Sequence, residues 1–214
     1  MKFDEKQLRL YAVTDRSWVG KQSLYEQVED ALKGGVTCVQ LREKTLDEAD
    51  FLKEAREIRQ LCKRYGVPFL INDNLEVAIA CGADGVHVGQ DDLPVTEVRR
   101  RVGDGMIVGV SAHNVEEAKR AVAGGADYLG AGAVFGTTTK SNVTPLSHAT
   151  LREICEAVEI PVVAIGGITK DNVLQLRGAG VRGVAVVSAI FAAQDIQAAC
   201  RELRALSEQM ITAG

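Results

Sequence analysis

The sequence predicts an α/β fold, a single (β/α)8 barrel of the TIM type over residues 1–214. Three observations predict it. Short apolar, β-rich runs alternate with amphipathic helical patterns from end to end, which implies a parallel sheet. Eight such runs in 214 residues fit a closed barrel near the small end of its size range. A faint repeat also recurs, as Gly35-Val36-Thr37-Cys38-Val39, Gly82-Ala83-Asp84-Gly85-Val86, Gly125-Ala126-Asp127-Tyr128-Leu129 and Gly180-Val181-Arg182-Gly183-Val184. Each copy is expected to end a helix on its glycine and to launch an even-numbered strand.

The strands are expected at Leu8–Val13, Cys38–Leu41, Phe69–Ile71, Gly85–Val88, Met106–Val110, Tyr128–Ala131, Val162–Ile165 and Val184–Val187. The second follows a Gly34-Gly35 break. Helical stretches are expected at Leu46–Tyr65, Val115–Ala123 and Leu151–Val158. In the first, Leu46, Ala49 and Leu52 interleave with Lys53, Arg56 and Arg59, which leaves one apolar face. A short helix from Ser188 precedes the last long helix from Asp195, and His148 starts another. The longest gap without a clear helix, Phe135–Ser147, follows the sixth strand. A loop that long in a compact barrel is more often functional than idle.

Composition narrows the function. A formal charge of −4 and a pI of about 5.5 argue against a nucleic-acid surface but allow a local cationic pocket. The five cysteines are scattered, odd in number and contain no CxxC pair. They read as buried reduced thiols in a reducing cytoplasm. Leu8–Val13 is too short for a signal peptide, and no stretch is long enough to span a membrane. The oligomeric state is open, and a homo-oligomer is compatible with the chain.

A barrel of this kind builds its active site at the carboxyl ends of the strands. The residues found there include Thr14 and Asp15, Gln40 to Lys44, Asn72 and Asp73, Gln90 to Asp92, and Ser111 with His113. Thr137 to Lys140, Gly166 and Gly167, and Ser188 complete the set. Gln40, Arg42 and Lys44 at one strand end suit a polyanion, and Asp73 and Asp92 follow on the next two. Two carboxylates, substrate phosphates and waters would satisfy an octahedral Mg²⁺. The competing expectation is that Asp73 caps a helix near Asn74, and Asp91 or Asp92 caps one near Pro94. Gly166-Gly167 and Val187-Ser188 follow the last two strands, where this fold often holds a phosphate; alternatively the glycines only permit a tight turn. Lys140 ends a Thr-rich loop and is either an anion contact or a solvated surface lysine. His87 reads as a barrel-lining structural histidine, while His113 stands near the mouth as an acid/base candidate. No Ser-His-Asp or Cys-His arrangement and no Rossmann glycine fingerprint is evident.

These residues resemble the thiamine-phosphate synthase family, also called thiamin-phosphate pyrophosphorylase. The resemblance runs from Tyr11-Ala12-Val13-Thr14-Asp15 to Val187-Ser188-Ala189-Ile190. It is carried by Gln40–Lys44, Asn72-Asp73, His87–Asp92, Gly109–His113, Thr137–Lys140 and Ile165–Ile168, in that order and spacing. The resemblance implies that Gln40, Leu41, Arg42, Glu43, Lys44, Asn72, Ser111 and Lys140 hold an aminopyrimidine diphosphate. It implies that Asp73 and Asp92 hold Mg²⁺ against it. Thr137, Thr138, Thr139, Gly167, Val187 and Ser188 would hold a thiazole phosphate. The implied reaction joins the two phosphorylated small molecules and releases pyrophosphate, with Lys140, Arg42 and Lys44 easing the leaving group. A thiazole tautomerase of similar fold would need an acid/base residue and no diphosphate site. A non-catalytic phosphate-ligand sensor would need neither Lys140 nor a metal. A sugar-phosphate isomerase would need a well-placed base, for which only His113 is offered.

Overall fold

The computed structural model describes residues 4–20, 22–136 and 145–212. Eight parallel strands close into a barrel in chain order: β1 (Leu10–Val13), β2 (Cys38–Leu41), β3 (Phe69–Asn72), β4 (Gly85–Val88), β5 (Ile107–Ala112), β6 (Tyr128–Gly132), β7 (Val162–Ile165) and β8 (Val184–Val186). Closure is made by β1 on β8, with Leu10 opposite Val184 and Ala12 opposite Val186. Helices cover the outside: α1 (Leu24–Lys33), α2 (Glu48–Tyr65), α3 (Leu75–Cys81), α4 (Val95–Val102), α5 (Val115–Ala123), α6 (His148–Glu156), α7 (Ser188–Phe191) and α8 (Ile196–Thr212).

The period of two along each strand divides the core into two shells. Leu10, Ala12, Val39, Leu41, Phe69 and Ile71 face out and pack under the helices with Val28, Ile58 and Leu61. Tyr11, Val13, Cys38, Leu70, Ile107, Tyr128, Val163 and Ala185 face in and fill the lumen. The same alternation, carried one step further up, turns Gln40, Asn72, His87 and Ser111 inward. The polar mouth is therefore a continuation of the apolar lumen, two residues above Cys38 and Leu70 on β2 and β3 and four above Ile107 on β5.

The fourfold repeat has a physical basis at the bottom of the barrel. The backbone N–H groups of Thr37, Asp84, Asp127 and Arg182 bond the carbonyls of Leu10, Phe69, Val108 and Val162, at 2.8 to 2.9 Å. In three of the four copies the side chain returns a bond to the preceding strand. Thr37 Oγ1 accepts from the Leu10 N–H, Asp84 Oδ2 from Phe69, and Asp127 Oδ2 from Val108. Each copy thus clamps an even strand to its odd neighbour. The glycine ahead of it reverses the chain, with φ of +94° at Gly35, +67° at Gly82, +93° at Gly125 and +86° at Gly180.

The structure moves several expected boundaries. Residues Glu5–Leu8 form a 3-10 turn capped by Asp4, so β1 begins at Leu10 and not at Leu8. The second helix starts at Glu48, because Asp47 caps it by accepting from the Asp50 N–H. β5 runs on to Ala112, which draws Ser111 into the strand. α6 begins at His148, as expected of that residue, three residues ahead of the expected Leu151, under a Ser147 cap. Gly180 ends no α-helix, since only a 3-10 turn, Val173–Leu176, lies between β7 and β8. All five cysteines are free; four are buried and Cys155 is half-buried. Among the described residues no helix is long and apolar enough to cross a membrane.

Candidate active site

A cavity of about 350 Å³ opens at the carboxyl ends of the strands. Tyr11, Gln40, Arg42, Asn72, Asp73, His87, Asp92, Ser111, His113, Gly167, Val187 and Ser188 are among the residues that line it. Residues from at least six strand ends thus converge on one space, as the barrel register requires.

The β2 end carries the cations. Arg42 Nη1 lies 2.7 Å from Asp15 Oδ2, and both side chains are largely buried. Its backbone N–H donates to Thr14 Oγ1 at 3.0 Å. The Arg42 Nε is buried with no hydrogen-bond partner among the described residues. A charged donor in that condition calls for an acceptor, and a phosphate oxygen in the cavity would supply one. Lys44 Nζ lies 2.5 Å from Asp73 Oδ2, at the edge of the mouth.

Leu41 and Glu43 do not join their neighbours there, which corrects the expectation for their side chains. Leu41 is fully buried in the outer shell. Glu43 turns back to hold its own loop, accepting from the Lys44, Thr45 and Leu46 N–H groups and the Thr45 hydroxyl, and pairing with Arg16 at 2.7 Å. Burial alone would raise its carboxyl. The bonds from Thr45, Arg16 and Lys44 outweigh burial and bring it down to about 2.

The β3 and β4 ends carry the carboxylates. Asp73 does not cap α3, because Asn74 does so by accepting from the Val77 N–H. Asp73 is the one described non-glycine residue with a positive φ, +62°. Its other oxygen is held by the Asn72 amide. Neither Asp91 nor Asp92 caps α4, whose N-cap is Pro94 with no side-chain bond. Asp92 Oδ2 accepts from the Gly89 N–H at 2.7 Å. Burial pushes the Asp92 carboxyl up and the Gly89 N–H pulls it down; the adjacent Asp73 carboxylate pushes it up again, for a net rise. A cation between two such carboxylates would relieve that repulsion. No group of three or more potential ligands occurs among the described residues. Two carboxylates nonetheless fit Mg²⁺, which typically takes one or two together with substrate phosphates and waters.

The ends of β7 and β8 meet the loop after β6. A Cβ on Gly167, whose φ is +63°, would fall 2.2 Å from the Gly136 carbonyl oxygen. The glycine is therefore required by chain crowding whatever the mouth binds. Asn172 fixes this turn, donating to the Gly167 carbonyl and accepting from the Thr169 N–H. α7 starts at Ser188, as expected, so its first N–H groups have no acceptor within the helix. Thr137, Thr138, Thr139 and Lys140 lie outside the described residues.

The lumen floor holds an arrangement that reading the sequence missed. Gln40 Nε2 donates to the Tyr11 hydroxyl at 2.6 Å, and the Tyr11 and Tyr128 hydroxyls are 2.9 Å apart. His87 Nδ1 lies 2.8 Å from the Tyr128 hydroxyl, and its Nε2 lies 3.0 Å from Ser111 Oγ. His87 is thus a barrel-lining residue, as expected, yet it is bonded at both ring nitrogens. The sequence carries only the inward period-two position of a tyrosine on both β1 and β6, which core packing explains equally well. His113 is tied to α5, its Nδ1 and backbone N–H both meeting Glu117 Oε2.

A family model described as thiamine monophosphate synthase matches residues 10–190. A thiamine-phosphate synthase of Clostridium novyi is 48% identical over 196 residues, covering 91% of this chain and 96% of its own. One from Chloroflexus aurantiacus is 50% identical over 199 residues, covering 92% of each. The solved structure of a thiamine phosphate pyrophosphorylase from Pyrococcus furiosus superposes with a TM-score of 0.88 at 39% identity, over 97% of this chain and 98% of its own.

Proposed function

We propose a reaction for this chain from one premise: it belongs to the thiamine monophosphate synthase family and is an enzyme of the thiamine-phosphate synthase type. The reaction is a substitution at the methylene of hydroxymethylpyrimidine diphosphate. The C–O bond to the diphosphate breaks, and its electron pair leaves with pyrophosphate. The aminopyrimidine ring stabilises the resulting carbocation, and the nitrogen of thiazole phosphate bonds to that carbon, giving thiamine phosphate.

Gln40, Asn72 and Ser111 orient the pyrimidine diphosphate in this reading. Arg42 and Lys44 face its phosphates, and Lys140 adds its charge there, as negative charge grows on the leaving group. Asp73 and Asp92 would hold Mg²⁺, which when bound neutralises diphosphate charge. Thr137 to Thr139, Gly167, Val187 and Ser188 take the thiazole phosphate. No protein nucleophile is required, because positioning and charge supply the rate.

One observation carries the reading. Arg42 with its unpartnered Nε, Lys44, and the Asp73 and Asp92 carboxylates stand on three successive strand ends at one mouth. The test is formation of thiamine phosphate from the two substrates with Mg²⁺, and its loss when the metal is chelated. Full activity in excess chelator would remove Asp73 and Asp92 from the metal role. The reducing cytoplasm is the compartment that free, mostly buried thiols favour.

A further inference from the structure

We propose that Tyr11, Tyr128 and His87 form a directional hydrogen-bond chain that sets the donor and acceptor character of its two ends, so that Ser111 offers a hydroxyl proton and Gln40 offers an amide oxygen to the pyrimidine. This rests on the reading that Gln40 and Ser111 hold the pyrimidine diphosphate.

The direction follows from counting protons along the chain. Gln40 donates through Nε2 to the Tyr11 oxygen, which leaves Gln40 Oε1 as the acceptor at that end. Tyr11 is buried and has one proton; the Cys38 thiol beside it is only a weak acceptor, so that proton goes to the Tyr128 oxygen 2.9 Å away. Tyr128 in turn donates to His87 Nδ1 at 2.8 Å. A neutral His87 with an accepting Nδ1 carries its proton on Nε2, and so donates to Ser111 Oγ at 3.0 Å. The Ser111 hydroxyl accepts that bond and keeps its own proton for a ligand. Burial pushes both phenols well up, so each keeps its proton.

The lumen is shaped for these rings. A Cβ on Gly109 would fall 2.2 Å from Tyr128 Cζ, and one on Gly130 would fall 3.0 Å from His87 Cε1. Phenylalanine would fill the same space without bringing hydroxyls into the core, where unbonded polar groups are costly. The two ends also match the proposed ligand. An aminopyrimidine offers an N–H donor on its amino group and acceptors on its ring nitrogens and diphosphate. Tyr11, Tyr128 and His87 are positioning residues in this scheme, acting through Gln40 and Ser111.

The test reads the His87 tautomer by imidazole nitrogen NMR on the ¹⁵N-labelled, substrate-free protein, near neutral pH or slightly above. The chain has only three histidines, so assignment needs only a His113→Gln, a His148→Gln and the parent spectrum. The proton is expected on Nε2, and a proton on Nδ1 overturns the proposal. Tyr128→Phe should leave His87 without a single tautomer. It should also raise the KM for pyrimidine diphosphate about tenfold while moving that for thiazole phosphate less than about twofold. An unchanged tautomer together with an unchanged KM overturns it as well. Should Tyr128→Phe fail to fold, the parent tautomer still decides. Absence of thiamine phosphate formation by the parent protein would sink the functional reading, whereas the tautomer is read without substrate and judges the chain separately.

Discussion

Arg42→Lys separates a phosphate contact from a structural cation. Arg42 has two tasks in the structure. Nη1 holds Asp15 at 2.7 Å, and the buried Nε has no partner among the described residues. Lysine keeps a positive charge beside Asp15 but lacks the Nε donor and the planar fork. A hydrogen bond to a charged group contributes about 1.5–3 kcal/mol. Losing the one from Nε to a phosphate should cut kcat/KM for pyrimidine diphosphate roughly 10- to 150-fold. Stability should fall by less than about 2 kcal/mol, because Asp15 is not left as an unpaired buried charge. Steady-state kinetics at saturating thiazole phosphate, paired with urea melts, separate the two effects. If kcat/KM is unchanged while the urea midpoint drops, Arg42 only braces Asp15 and the diphosphate must be held elsewhere.

Three further outcomes are expected. Asp73→Asn keeps the fold, since asparagine tolerates the positive φ at this position. Losing the carboxylate charge should cost on the order of 2–4 kcal/mol in turnover and little in thiazole phosphate affinity; normal rates across a Mg²⁺ titration would return Asp73 to a turn residue. Ser188→Ala should raise the KM for thiazole phosphate about three- to tenfold with that for pyrimidine diphosphate unchanged, and the reverse pattern would exchange the two half-sites. Glu43 has its folded pKa depressed from 4.5 to about 2, so its contribution is fully present above pH about 4.5 and is lost as pH falls toward 2. Glu43→Gln should therefore destabilise by at most about 3 kcal/mol at pH 7. The gap from the parent should close over that acid window in thermal melts, and a constant gap would contradict the loop-holding role.

Most of the barrel was legible because its signals are local. Glycine followed two residues later by threonine or aspartate marks a chain reversal and a clamp between neighbouring strands, and both are properties of adjacent residues. The segment before β8 broke the pattern: Gly180 fits the repeat, but the chain ahead of it makes only a 3-10 turn, and nothing local distinguishes the two cases. The neighbours Asp73 and Asn74 both suit a cap by residue type, and only backbone geometry assigns the cap to Asn74 and a left-handed φ to Asp73. Glu43 looked like part of a cationic anion-binding run because its partner Arg16 is distant in sequence. Gly167 was legible as a turn, yet the clash that demands it comes from residues 135–136 on another loop. Tyr11 and Tyr128 could not be singled out, since a buried tyrosine in a strand reads as core until the barrel closes and sets two hydroxyls 2.9 Å apart.

In the proposed reaction one mouth binds both substrates and expels pyrophosphate from the pyrimidine. The most direct measurement is single-turnover release of pyrophosphate alongside thiamine phosphate, with Mg²⁺ present and each substrate omitted in turn. One pyrophosphate per thiamine phosphate is expected, and no thiamine phosphate when either substrate is missing. Turnover of thiazole phosphate alone, or binding of both substrates with no pyrophosphate released, would contradict it.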